Sequence, residues 1–121
     1  MNAAPHSSGV RAGAVGWIAG LVNAFPAETM ALFNSAVAGQ TKKADEIYDW
    51  FLPLLRMDTV IKFVQLIKLV QEEVGMGSER VRPPRLTVGG AERKTALATL
   101  SNALKKRPKL LFAAIGVDDK K

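Results

Sequence analysis

Gly13-Ala14-Val15-Gly16-Trp17-Ile18-Ala19-Gly20 is the stretch whose conformation decides the fold class. Three glycines in eight residues disfavour a helix interior, where each costs about 1 kcal/mol relative to alanine. A short apolar run rich in glycine suits a fully buried strand whose backbone another element approaches closely. The rival reading is the opening turns of a helix running on to Phe25. A strand is the expectation, and the rest of the chain is placed around it.

On its N-terminal side, residues 1–10 hold Ala, Pro, Ser, Gly and His without hydrophobic periodicity, and read as a loose leader. On its C-terminal side the pattern becomes helical. Pro26 suits a first helical position and Glu28 complements the helix dipole in the first turn. Met30, Phe33 and Val37 form the expected inner stripe, ended by Gly39. Thr41 is the expected N-cap of a second helix, in which Ala44, Ile47, Tyr48, Phe51 and Leu55 recur at helical spacing and Pro53 should kink or stop the chain. A third helix, capped by Asp58 or Thr59, carries Val60, Phe63, Val64, Ile67 and Val70 on one face, and Gly75 and Gly77 close it. Residues 80–86 are expected to be extended, because each of Pro83 and Pro84 restricts itself and its predecessor. A fourth helix follows from Ala91 to about Leu104, with Leu97, Leu100 and Leu104 inward. Residues 110–115, an apolar hexamer between two charged runs, read equally as a packed segment or an added tail.

Composition narrows the function classes. With 121 residues the chain is too short for a complete eight-stranded α/β barrel, which takes about 250. An apolar content of 48% and a charged content of 23% describe a folded chain, not a disordered one. The absence of cysteine excludes disulfides, thiolate nucleophiles and thiolate-bound zinc, and the single histidine, His6, lies in the polar leader, so neither metal nor cofactor is expected. The longest uncharged stretch, residues 12–27, falls short of the roughly 20 residues that span a bilayer and is interrupted by Gly, Asn and Pro. Neither a membrane anchor nor a signal peptide is expected, and a cytoplasmic location is. The net charge of +6 is concentrated: residues 79–109 carry nine Lys/Arg against two Asp/Glu, while residues 1–78 carry six against seven.

In this order, these pieces resemble the last unit of the (β/α)8 barrel of the dihydrodipicolinate synthase and N-acetylneuraminate lyase family, followed by its C-terminal helical extension. The resemblance spans roughly residues 12–104. It is carried by the G-x-x-G-x-I pattern from Gly13 to Ile18 with Asn23 and Pro26 after it, by Leu52-Pro53-Leu54, by Lys62 opening the next helix, and by Val81-Arg82-Pro83-Pro84. The resemblance implies a mainly α chain: residues 11–39 as the final β-strand and helix of an incomplete barrel, residues 40–104 as a three-helix extension, and residues 105–121 as a basic and apolar tail.

In that family a lysine from an earlier strand forms a Schiff base with a pyruvate-like 2-keto acid, and a tyrosine from another strand shuttles protons. An imine withdraws electrons from the adjacent carbon, and the attacking lysine must be held neutral by its surroundings. The resemblance leaves both roles to strands outside these residues, so no catalytic residue is assigned. Lys62 reads as a surface or helix-packing lysine, Tyr48 as a core residue, and Asp45, Glu46, Asp49, Glu72 and Glu73 as solvated faces and helix ends. Since such barrels place their sites at the C-terminal ends of strands, Ile18, Ala19 and Gly20 would form one wall of the pocket in an intact barrel. The Ile18 backbone carbonyl would then lie near the lysine-bound substrate. Ala19 and Gly20 offer no hydroxyl, which disfavours a sugar-acid specificity; their small size serves barrel packing equally well. Trp17 would point outward to a covering helix, and Trp50 is either core or interface.

The expected function is therefore that of a C-terminal fragment of a Schiff-base lyase, arising as a natural piece, a split subunit or a misplaced gene boundary, and inactive by itself. Its expected partners are a 2-keto acid only in an intact barrel, and otherwise a second copy or a complementary chain. Two alternatives stand beside it: a stand-alone helical interaction module, and a basic phosphate or nucleic-acid binder using Arg80, Arg82, Arg85, Arg93, Lys94 and the run Lys105, Lys106 and Arg107. The last is disfavoured because no aromatic side chain lies between residues 79 and 109 for base stacking.

Overall fold

A computed structural model describes residues 6–109, and within them the chain is mainly α-helical with no strand. Five helices are formed: α1 (His6–Arg11), α2 (Pro26–Val37), α3 (Thr41–Leu55), α4 (Phe63–Glu73) and α5 (Gly90–Lys105). Short 3-10 turns lie at Leu21–Asn23 and Arg56–Thr59. The apolar hexamer at residues 110–115 lies outside the described residues.

Helix ends follow the sequence signals closely. Pro26 is the first residue of α2. Gly39, at φ 75°, closes it with hydrogen bonds from Gly39 N–H to Ala36 O and from Gln40 N–H to Ser35 O, the paired pattern of a glycine-terminated helix. Gly75, also at φ 75°, closes α4 in the same way through Glu72 O and Gln71 O. Other boundaries shift. Thr41 is the first residue of α3 rather than its cap, which is Gln40. Pro53 lies within α3, two residues before its end, and does not stop it. Both Pro53 and Asp49, whose carbonyl the proline cannot serve, are exposed residues, so the helix loses this bond on its solvent side. Asp58 and Thr59 belong to the 3-10 turn, and α4 starts three residues after Val60, with Lys62 at its cap. Residues 80–86 are not wholly extended: a cis Pro83-Pro84 bond makes a turn closed by Arg85 N–H to Arg82 O at 3.1 Å.

Two expectations about the N-terminal third are corrected. Of the leader only residues 6–10 are described, and these are helical: they open α1, which packs on α2 and α3, helped by an Arg11–Asp45 ion pair at 3.3 Å. Docking of a short helix onto a larger body supplies what its own propensity lacks. Residues 13–20 are not a strand. A strand is made by partners that accept and donate its backbone hydrogen bonds, and none is present among the described residues. The run instead crosses the surface as irregular chain, with Val15 and Ile18 almost fully exposed and Trp17 half-buried against the core.

The core runs from Leu21 to Ala103 through every later helix. Its centre is aromatic: Phe25 meets Trp50 edge-on at 5.7 Å and Phe51 edge-on at 5.9 Å, geometries that suit the ring quadrupole. Trp50 Nε1–H donates to Ala103 O at 2.8 Å, so one side chain both fills the core and satisfies a carbonyl in the last turn of α5. In α5, Ala96, Leu100 and Ala103 are the buried positions, and Leu97 and Leu104 lie at the edge of the core. The faces of α2 are reversed relative to expectation. Glu28, Ala31, Leu32 and Ser35 are buried, whereas Met30 and Val37 are exposed and Phe33 is half-exposed.

Candidate functional site

The residues expected to wall a pocket, Ile18, Ala19 and Gly20, are consecutive and run directly into the first buried turn. Gly20 caps the Leu21–Asn23 turn, and its carbonyl accepts from Asn23 Nδ2 at 2.8 Å and from Asn23 N–H at 3.3 Å. Leu21 is fully buried, and Phe25 N–H bonds back to its carbonyl at 2.9 Å. Downstream of Gly20 the chain is thus fixed, and upstream it has no regular backbone pairing. Ile18 is 90% exposed, while Ala19 and Gly20 are half-buried. Ala19 lines a shallow cavity of about 270 Å³ together with Val15, Trp17, Met30 and Phe33. This cavity is apolar, has no ionisable lining residue, and opens on the face of α2 that is left exposed.

A second cavity, of about 400 Å³, lies between the end of α3 and α5, over Met57, Leu66 and Ala96, with Arg56 and Glu92 among its lining residues. None of its lining residues is a lysine, a tyrosine or part of residues 13–20, so it does not belong to the pocket wall.

No described lysine is buried. Lys62 caps α4 and pairs with Glu92 in the first turn of α5 at 3.1 Å, both side chains about half exposed. It is a surface tie between two helices, worth little in stability. Tyr48 packs at the edge of the core on α3. Asp45 is engaged by Arg11, so the acidic face of α3 is only partly solvated. Among the described residues no three His, Cys, Asp or Glu side chains come together as a metal site would require.

The basic segment is divided in its use. Arg93 grips Glu79 through two bonds, at 2.6 and 3.2 Å, and also donates to Val88 O at 3.2 Å. The guanidinium holds the Glu79 carboxyl below its usual value of 4.5, and Glu79 in turn raises Arg93. Arg107 Nε donates to Glu28 Oε2 at 2.5 Å, and its guanidinium lies over the Phe25 ring at 5.1 Å. Arg80, Arg82, Arg85, Lys94, Lys105 and Lys106 remain on the exposed surface.

Three functional placements were not legible in the sequence. Glu28 was read as a dipole partner in the first turn, yet it is 2% exposed, and its second oxygen, Oε1, has no hydrogen-bond partner among the described residues. Its position one and two turns before Leu32 and Ser35 was the available signal for burial; the partner 79 residues away left none. Asp58 and Ile67, read as a cap and a core residue, both meet Gly20. A Cβ on Gly20 would lie 2.8 Å from each Asp58 carboxylate oxygen and 2.9 Å from Ile67 Cδ1.

Comparison with known families finds a match to the model described as the dihydrodipicolinate synthetase family over residues 3–103, which takes in residues 13–20, all of α2 to α4 and most of α5. Curated proteins and solved structures give no significant match. No helix among the described residues is long and apolar enough to cross a membrane.

Proposed function

Because this chain belongs to the dihydrodipicolinate synthetase family, we propose that it forms the last strand-helix unit and helical extension of a Schiff-base lyase barrel acting in the cytoplasm on pyruvate-type 2-keto acids. The lysine that attacks the keto carbonyl and the tyrosine that moves protons come from barrel strands outside these residues. This chain contributes one wall of the pocket: the Ile18 backbone carbonyl toward the substrate, and Ala19 and Gly20 as small groups that leave room for it. Without those strands it forms no imine.

The observation that carries this reading is a pair of apolar surfaces that no described residue covers. Val15 and Ile18 are 95% and 90% exposed, and Val15 shares a cavity with Met30 on the face of α2 that is left exposed. A barrel would pair the first as a strand and cover the second. Large contiguous apolar patches are uncommon on soluble monomers, and the same surfaces make self-association the expected state of the chain alone. Co-refolding with a polypeptide carrying the other seven strand-helix units of a family barrel tests this. A one-to-one complex in sedimentation, with new strand signal in circular dichroism, is the expected result; two species that ignore each other would refute it.

A second reading has one observation in its favour. The helices bury a continuous core of their own, with Phe25, Phe51, Leu54 and Leu69 almost fully enclosed, which a stand-alone interaction module would need. A stable monomer that neither self-associates nor accepts a complementing barrel fragment would make that reading the better one.

A further inference from the structure

We infer that the cavity between the end of α3 and α5 is a binding site for a small monocarboxylate with an apolar body, such as a medium-chain alkanoate. Its lining residues all fall between Pro53 and Thr99, so the inference is independent of the pocket-wall role proposed for residues 18–20.

The floor is apolar and the space is that of a ligand site. Met57, Leu66 and Ala96 are buried beneath about 400 Å³, within the range of roughly 300–1,000 Å³ usual for small-molecule pockets. The other lining residues of α5, Ala91, Thr95 and Thr99, are small and recur at one-turn spacing, which keeps the groove open along the helix. An apolar groove alone does not say what enters it; charge does. Two lining residues are charged, Arg56 and Glu92. Glu92 is already paired with Lys62 at 3.1 Å. Arg56 has no ion pair or side-chain hydrogen bond among the described residues, unlike Arg93 and Arg107. Its place at the end of α3 suits the helix dipole, an interaction that leaves the guanidinium donors unspent. The Thr99 hydroxyl donates to Thr95 O at 3.0 Å, whereas the Thr95 hydroxyl has no such bond among the described residues. The lining thus offers one unneutralised cation and one available hydroxyl above an apolar floor. A carboxylate matches the parallel N–H groups of a guanidinium, and a hydrocarbon body gains by leaving water for such a floor. The cavity beside Val15 has no charged lining residue and expresses no such preference.

Octanoate and octanol, titrated into the full chain by calorimetry, test this; low ionic strength is used because Arg56 is exposed and salt screens it. Octanoate is expected to bind once per chain and about tenfold more tightly than octanol, the difference that a charge-assisted hydrogen bond makes. Arg56→Gln is expected to bring octanoate to the affinity of octanol and to leave octanol unchanged. Thr95→Phe, at an exposed lining position, is expected to weaken both by filling the opening. Circular dichroism checks that each variant keeps the helical signal of the parent, and if Thr95→Phe loses it, Ala91→Phe, also exposed and lining the cavity, takes its place. No saturable binding of octanoate overturns the inference. So does octanoate that binds no better than octanol, or whose affinity neither substitution alters, as binding to the exposed face of α2 would give.

Discussion

Glu28 and Arg107 are joined by a 2.5 Å hydrogen bond from Arg107 Nε to a carboxylate that is 2% exposed, across 79 residues of chain. The bond ties the first turn of α2 to the segment just after α5, and the guanidinium also covers Phe25 at the centre of the aromatic cluster. Glu28 Oε1 has no hydrogen-bond partner among the described residues, and among them Arg107 is the one cation paired with this carboxylate.

Arg107→Ala should therefore destabilise the fold by about 2–3 kcal/mol, since it leaves a buried charge unpaired. Glu28→Gln should cost less, about 1 kcal/mol, because it removes the charge and keeps the shape. Urea unfolding of the two variants measures the order. A larger loss for Glu28→Gln would show that the ion pair is not what holds this contact.

The Glu79–Arg93 pair gives an acid-limb prediction. Arg93 lowers the folded-state pKa of Glu79 below its unfolded value of 4.5. The resulting stability is fully present above pH 4.5 and is lost as pH falls through the lower, folded value. Glu79→Gln should lower stability slightly at neutral pH, where the pair contributes, and converge with the parent as pH falls through the folded value, so that this part of its profile is flatter. Denaturation midpoints between pH 6 and pH 3, compared with the parent, test it; parallel profiles would count against the pairing.

How far the sequence could be read depended on the range of the forces involved. The ends of α2 and α4 were legible because Pro26, Gly39 and Gly75 act within one turn. The inner face of α2 was not. Met30, Phe33 and Val37 recur at helical spacing and form the obvious stripe, but the partners among the described residues select Glu28, Ala31, Leu32 and Ser35 for burial. That residues 13–20 would not form the strand their local pattern suggests was equally unreadable, since pairing requires neighbours that the described residues do not contain. The pocket wall at Ile18, Ala19 and Gly20 entered only through family resemblance. Asp58 and Ile67 come to lie beside Gly20 only once the chain is folded.

Self-association should proceed through the exposed apolar surface. Ile18→Lys and Val37→Glu place charges at positions 90% and 59% exposed, where substitutions usually change stability by no more than about 0.5 kcal/mol. They should shift sedimentation toward monomer with little change in unfolding midpoint. Oligomers that persist unchanged would place the contact elsewhere.

Binding to duplex DNA should be weak and electrostatic. With Arg93 and Arg107 committed to Glu79 and Glu28, the exposed Arg80, Arg82, Arg85, Lys94, Lys105 and Lys106 remain to contact phosphates. Affinity should fall steeply between 50 and 200 mM salt, as roughly tenfold or greater losses accompany the release of several counterions. Sequence-selective binding that survives this range would favour the basic-binder reading.

The most direct measurement traps the imine. Pyruvate and borohydride are added to this chain alone and to its co-refolded mixture with a polypeptide carrying the other seven strand-helix units, and intact masses are recorded. The account predicts no adduct on this chain in either sample and a single adduct on the complementing polypeptide that appears only in the mixture. A stoichiometric, single-site adduct on this chain alone would contradict it.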